Sequence, residues 1–285
     1  MTSTIGNPLS WGARNIGAAG RGLTHAVQHA GGEEGAQIPV VRPIDFSDIK
    51  AALRAGLSDF AALRSDVIFA AMLYPVIGIC LMWAAVHKGV LPLMFPLASG
   101  FALIGPIAAI GLYELSRRRE AGESPGWLDA LSVWRAPGIG AIIGLGVGLA
   151  VLLVLWLTTA WVIYSLTMGG VAYPGIKTFL ADVFTTPGGL SLMLIGIPVG
   201  FVFALLALAI SVISFPLMLD RDVGLPRAVA ASLELTRKSP VTVLTWGAIV
   251  AAGLIVGAIP MLLGLAVTLP ILGHATWHLY RRAVR

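Results

Sequence analysis

The stretch VTVLTWGAIVAAGLIVGAIPMLLGLAVTLPILGHATWHLY, residues 241–280, decides the fold, because it runs for 40 residues without an Asp, Glu, Lys or Arg. As one α-helix it would be roughly 60 Å long, about twice the ~30 Å hydrocarbon thickness of a bilayer. It must therefore turn back once. Gly257, Ala258, Ile259 and Pro260 mark the place, since Gly and Pro both disfavour continuing a helix. The stretch reads as two membrane spans, about 241–258 and 260–280.

Upstream, further nearly charge-free runs cover about 67–86, 91–115, 138–164 and 190–219. They show no alternation at period two and are much longer than the ~10 residues of a barrel strand, so the spans are helical. A chain with 57% hydrophobic and 12% charged residues has lipid, not water, as its main solvent. The expected fold is all-α: a polytopic membrane protein with six transmembrane helices arranged as three hairpins.

Orientation follows from charge. With six spans, 17 of the 19 Lys and Arg residues fall on the tail and loops of one side, leaving only Lys88 and Lys177 on the other. By the positive-inside rule both termini are cytoplasmic, in what is expected to be a bacterial inner membrane. The net charge of +5 is then explained by topology, and nucleic acid is not an expected partner. Residues 1–38 lack a continuous apolar core and read as a disordered cytoplasmic tail, with His25 and His29 solvated; residues 39–285 form the membrane domain. The lone Cys80 provides neither a disulfide framework nor a thiolate metal site.

Each hairpin is expected to follow a cytoplasmic amphipathic surface helix. In the first, Ile49, Leu53, Leu57 and Phe60 line one face, with Ser47 available as N-cap. Similar pieces occupy 127–137 and 230–240, and the pairs Phe60/Arg64, Leu131/Arg135 and Leu233/Arg237 recur at one spacing. Ile176, Phe179, Leu180, Val183 and Phe184 predict a short helix on the outer surface. Trp83, Trp161 and Tyr164 near outer span ends, and Trp127, Trp134, Trp246 and Trp277 near inner ones, read as interfacial anchors.

Glycines four apart (Gly140, Gly144 and Gly148; Gly196 and Gly200; Gly253 and Gly257) offer close-packing faces. Packing inside one bundle is the simpler use; a seam between copies, a pore lining or contacts with other membrane proteins are the alternatives. Pro106, Pro198 and Pro260 should kink or break their helices.

No Asp, Glu, Lys or Arg lies near the middle of a span, which disfavours proton pumping and ion-coupled transport. Glu114 is expected to pair with Arg117 and Arg118 by i,i+3 and i,i+4 contacts. His274 and His278 share a helical face, which suits a metal or haem edge, but third and fourth ligands are lacking, so interfacial hydrogen bonding is the plainer reading. The candidate functional or interfacial residues are Tyr113, Glu114, Arg117, Arg118, His274, Trp277, His278 and Tyr280, with no catalytic residue, cofactor or metal assigned.

Gly273, His274, Ala275, Trp277, His278, Tyr280 and Arg281 resemble the terminal motif of an uncharacterised family of predicted bacterial integral membrane proteins. Gly105, Pro106, Tyr113, Glu114, Ser116, Arg117 and Arg118 are similar to it as well, as is the helix carrying Ala228 and Ser232. The resemblance covers about 38–283 and implies a multi-pass inner-membrane location without an established activity. Some relatives of this kind carry a cytochrome oxidase subunit I label, but that chemistry needs about twice these spans and several deep histidines. The expected function is that of a non-enzymatic scaffold or accessory subunit. The alternatives are a transporter or channel for a neutral or apolar solute and a haem or metal protein using His274 and His278. A polar midplane pocket beside Pro106 or Pro198 would favour transport.

Overall fold

Asp45 starts the first helix. In the computed structural model, which describes residues 39–71, 76, 78–80, 83, 91–171, 173–260 and 262–285, its carboxylate accepts from the Ser47 and Asp48 amides at 2.8 and 3.1 Å. Asp48 Oδ2 accepts in return from the Asp45 amide at 3.1 Å. This reciprocal box makes Asp45, rather than Ser47, the cap of α1 (Phe46–Ala71). α1 continues from the expected surface helix into the start of the 67–86 span without a break; most of that span lies outside the described residues, as do residues 1–38. The chain goes on through α2 (Met94–Ala108), α3 (Ile110–Glu120), a 3-10 helix (Trp127–Arg135), α4 (Ile139–Met168), α5 (Ile176–Thr185), α6 (Pro187–Ser211), α7 (Ser214–Asp220), α8 (Leu225–Lys238), α9 (Pro240–Ala258) and α10 (Leu265–Ala283).

Four stretches among the described residues are long and apolar enough to cross a membrane: Met94–Glu120 (α2 with α3), Ile139–Met168 (α4), Pro187–Asp220 (α6 with α7) and Pro240–Ala258 (α9). Large apolar side chains such as Val154, Leu194 and Ile255 stand exposed on them, a surface that water would penalise and lipid accepts. α10 carries His274, His278, Arg281 and Arg282 towards its end and is not among these stretches. The helix break between α9 and α10 falls where Gly257 and Pro260 predict it. Gly257 is needed there: a Cβ would meet Leu265 Cδ2 at 2.8 Å and also strike Thr268.

α1 packs along α10. Its buried positions are Asp48, Ile49, Ala52, Gly56, Asp59 and Leu63, whereas Leu57 is 54% exposed. The buried face is thus rotated from the Ile49–Leu53–Leu57–Phe60 stripe, because close approach to α10 selects small residues. A Cβ on Gly56 would lie 2.8 Å from Ala275 Cβ and nearer still to its amide nitrogen. Beside this pair Val41 bridges to Val284, with Arg42 N donating to Ala283 O at 2.9 Å and Arg285 N to Val40 O at 3.1 Å. The Ile44 amide donates to Ser239 Oγ at 2.9 Å, and Thr242 Oγ1 to Ile44 O at 3.1 Å, tying the same segment to the α8–α9 junction.

The helix breaks differ from the expected ones. α2 gives way to α3 at Ala109, three residues past Pro106, but Pro198 lies inside an uninterrupted α6. The second break falls at Val212 and Ile213 instead, where the ring of Pro216 conflicts with the Val212 carbonyl. Broken helices leave carbonyls to be satisfied, and Ser232 of α8, fully buried, donates to Ala209 O at 2.7 Å. The three pieces expected as equivalent surface helices also diverge: α1 and α8 are α-helical and residues 127–135 form a 3-10 helix. α5 matches the expected 176–184 helix, with Ile176, Leu180 and Phe184 exposed.

Two changes test this packing. Ser232→Ala leaves the Ala209 carbonyl without its donor and should cost about 1–3 kcal/mol, read as a lower Tm in detergent. Gly56→Leu should weaken the α1–α10 contact by a similar ~1–3 kcal/mol through overpacking, whereas Leu57→Ala on the exposed side should leave Tm nearly unchanged.

Candidate functional site

At the arginine-rich end of the bundle, α1, α3 and α10 bring their polar side chains onto one carboxylate. Asp59 is 6% exposed. Its Oδ1 accepts from the Arg119 guanidinium at 2.6 Å, and its Oδ2 accepts from His278 Nε2 at 2.8 Å and from Ser116 Oγ at 2.7 Å. Burial works against its charge, but the hydrogen bonds from His278 and Ser116, with the nearby histidines, outweigh this and hold the carboxyl below its ordinary value.

Proton accounting then orients the rest. An ionised carboxylate only accepts, so the single Ser116 hydroxyl proton points at Asp59. Ser116 Oγ also lies 2.7 Å from His274 Nδ1, which must therefore be the donor. The Ser116 proton is consequently not presented to the histidine as it would be to a general base. His274 is fully buried, and its Nε2 has no hydrogen-bond partner among the described residues.

Two further carboxylate clusters flank this one. Glu114, 3% exposed, receives a two-pronged contact from Arg117 at 2.7 and 2.8 Å, Arg118 Nε at 2.8 Å and Ser132 Oγ at 3.1 Å. Arg118 continues to Asp129 at 3.0 Å, so α3 is clasped to the 3-10 helix. Glu120 accepts from Trp277 Nε1 at 2.9 Å and Arg281 Nε at 3.0 Å, and Asp220 of α7 accepts from Tyr280 OH at 2.6 Å. About three turns earlier on the same face of α1, Asp48 holds Arg42 at 2.8 Å and Arg282 at 3.2 Å.

The candidate residues therefore gather at one end, in neighbouring clusters. Glu114, Arg117 and Arg118 pair as expected, with Tyr113 buried beside them. His274 and His278 do hydrogen-bond, to Ser116 and Asp59 of the neighbouring helices. Of the expected anchors, Tyr164, Trp246 and Trp277 lie inside the bundle at 2%, 2% and 1% exposed, and Tyr280 is buried with them. Trp83, Trp134 and Trp161 do stand exposed. Arg119, Glu120 and Asp220 were missed because nothing local in the sequence distinguishes them from solvated charges, and Asp59 was missed although its helix face offers one sign. The available signal was an acidic residue on a small-residue face, Ala52–Gly56–Asp59.

Of the glycines, Gly140 is buried, Gly144 faces Leu225, Gly200 faces Trp156 and Gly253 faces Leu272, while Gly148 and Gly196 face open space. Among the described residues no group of three or more His, Cys, Asp or Glu side chains is placed to hold a metal ion.

Four apolar membrane-length stretches among the described residues, joined to a buried polar layer, define a helical integral membrane protein. Residues 94–220, the segment from α2 through α7, match the model of a family described as "Predicted integral membrane protein (DUF2189)". No curated protein and no solved structure matches the chain. The matched segment contains Glu114 and Ser116 and ends at Asp220, ahead of His274 and His278.

The depressed carboxyl of Asp59 sets a pH dependence. Its folded value lies below the unfolded value of about 3.9, so the stabilisation is complete at neutral pH and is lost as pH falls through ~4 and past the folded value. Asp59→Asn should cost about 2–4 kcal/mol at pH 7, discounted for the partial exposure of Arg119, and should flatten the fall of Tm between pH 5 and 3. An equal acid-induced fall in both proteins would show that other groups govern it.

Proposed function

We propose that the protein is a six-span, non-enzymatic scaffold or accessory subunit of a bacterial inner membrane, with both termini in the cytoplasm. The observation that carries this reading is the use made of the buried polar groups. Asp59, Glu114, Glu120, Asp48 and Asp220 each bind side chains of this same chain, mostly across two helices. The most suggestive combination, Ser116 with His274 and Asp59, has its hydroxyl proton committed to the carboxylate. Such a layer supports holding helices at fixed angles.

The six-span topology adds α10 and the 67–86 stretch to the four apolar spans, and the 17:2 division of Lys and Arg supports it. A reporter fused after Arg285 should be active in the cytoplasm; activity confined to the periplasm would overturn the topology. Solubilisation from native membranes should yield a complex of fixed stoichiometry with another membrane protein. A lone chain that turns over a substrate would defeat the scaffold reading. For a haem or metal protein, detergent-purified material should absorb in the visible and lose that band when His274 and His278 are both changed. His278 Nε2 is already engaged by Asp59, and His274 Nδ1 by Ser116.

A further inference from the structure

Between α6 and α9 the bundle contains a cavity of about 460 Å³. Its inner wall comes from the α2–α3 junction, at Gly105, Pro106, Ala109 and Tyr113, and from α10, at Leu272 and Gly273. It lies beside Pro106, but its lining is not that of a polar midplane pocket. Ser211 and Thr276 line it, yet their hydroxyls donate to carbonyls of their own helices, Ala207 O at 2.6 Å and Leu272 O at 2.7 Å. The protons of these two hydroxyls are thus committed to their own helices and offer a water little.

Small residues build the space. Ala204, Ala248 and Ala251 line it and are exposed, and a Cβ on Gly105 would meet nothing within 4 Å. Phe201 and Leu244 at its margin are 58% and 44% exposed, so the cavity opens sideways, where the bilayer is.

Its depth and capacity select the occupant. Lining residues run from Phe201 on α6 to Val212 just past its end, and from Leu244 to Leu254 on α9. At a rise of 1.5 Å per residue these are roughly 16 and 15 Å, about half of a ~30 Å hydrocarbon core. The Tyr113 end adjoins Glu114 and Arg117, so the cavity covers the one leaflet at the arginine-rich end. An apolar cavity of about 150 Å³ takes up one benzene, so by the same scale this one holds roughly 18 carbons.

We propose that the cavity is a binding site for one acyl chain of a phospholipid from the leaflet at the arginine-rich end, entering sideways between α6 and α9. The site depends on the membrane embedding and not on the scaffold reading, and the two fail separately. Protein purified from membranes and stripped in mild detergent should retain, by native mass spectrometry, one phospholipid per chain. Gly105→Phe, which fills the open space, and Ala248→Phe, at the rim, should each lower that occupancy at least tenfold while eluting as the wild type does. Val154→Phe, on an exposed face elsewhere, should not. A phospholipid bearing a mid-chain diazirine should label α6 and α9 peptides at the cavity. Absence of a retained lipid, equal retention in Gly105→Phe and Ala248→Phe, or labelling only outside the cavity would overturn the proposal. So would a disulfide from Ala248→Cys to the native Cys80, which places the chain's own first span in the cavity. Efficient cross-linking between chains of Ala248→Cys on a Cys80→Ser background would show that a second copy occupies it.

Discussion

The arrangement of the helix ends depends on the ionised carboxylate of Asp59. It is the point at which α1, α3 and α10 meet, and it receives Arg119, Ser116 and His278 together. A buried carboxylate is costly unless its charge is paired and its lone pairs are filled, and here both conditions are met by residues from two other helices. That requirement orients Ser116, and through Ser116 it sets which nitrogen of His274 carries a proton. The same end of α10 is held by Glu120 and Asp220 through Trp277, Arg281 and Tyr280. One helix is thus fixed on several sides by charge-assisted hydrogen bonds, which a low-dielectric surround strengthens.

The membrane portion follows another rule. Apolar side chains gain little from touching one another rather than lipid, so the helices pack where small residues or broken backbones let them approach. Gly200 against Trp156 and Gly253 against Leu272 are such contacts. The break at Val212–Ile213 is tolerated because Ser232 supplies a donor to the Ala209 carbonyl. Where small residues on α6 and α9 face each other without a large partner, a cavity remains. Rigidity is therefore concentrated at the charged end and open volume in the adjoining leaflet.

The all-α class and the helix break near Gly257–Pro260 were legible in the sequence, and so were the α5 helix and the Glu114–Arg117–Arg118 contact. Each rests on local quantities: run length against bilayer thickness, helical spacing, or an i,i+3 and i,i+4 charge pair. The pairing of His274 and His278 on one helical face was equally readable. The identity of their partners was not, because Asp59 and His278 are separated by more than two hundred residues of chain and nothing in either neighbourhood refers to the other.

Only the tertiary structure decided which face of α1 is buried. Leu53 and Leu57 carry more apolar surface than Ala52 and Gly56, so composition points to a stripe of which Ile49 is buried, Leu53 and Phe60 are only partly so and Leu57 is exposed. Close approach to α10 at Ala275 selects the small residues instead, and brings Asp59 inward with them. Tyr164, Trp246 and Trp277, expected as interfacial rings, are buried for the same reason: a ring near a span end meets lipid headgroups or a neighbouring helix according to rotation about the helix axis. Sequence determines where a helix enters the membrane through its length and flanking charge. Its rotation, and hence what each polar side chain meets, depends on contacts with helices distant in the chain.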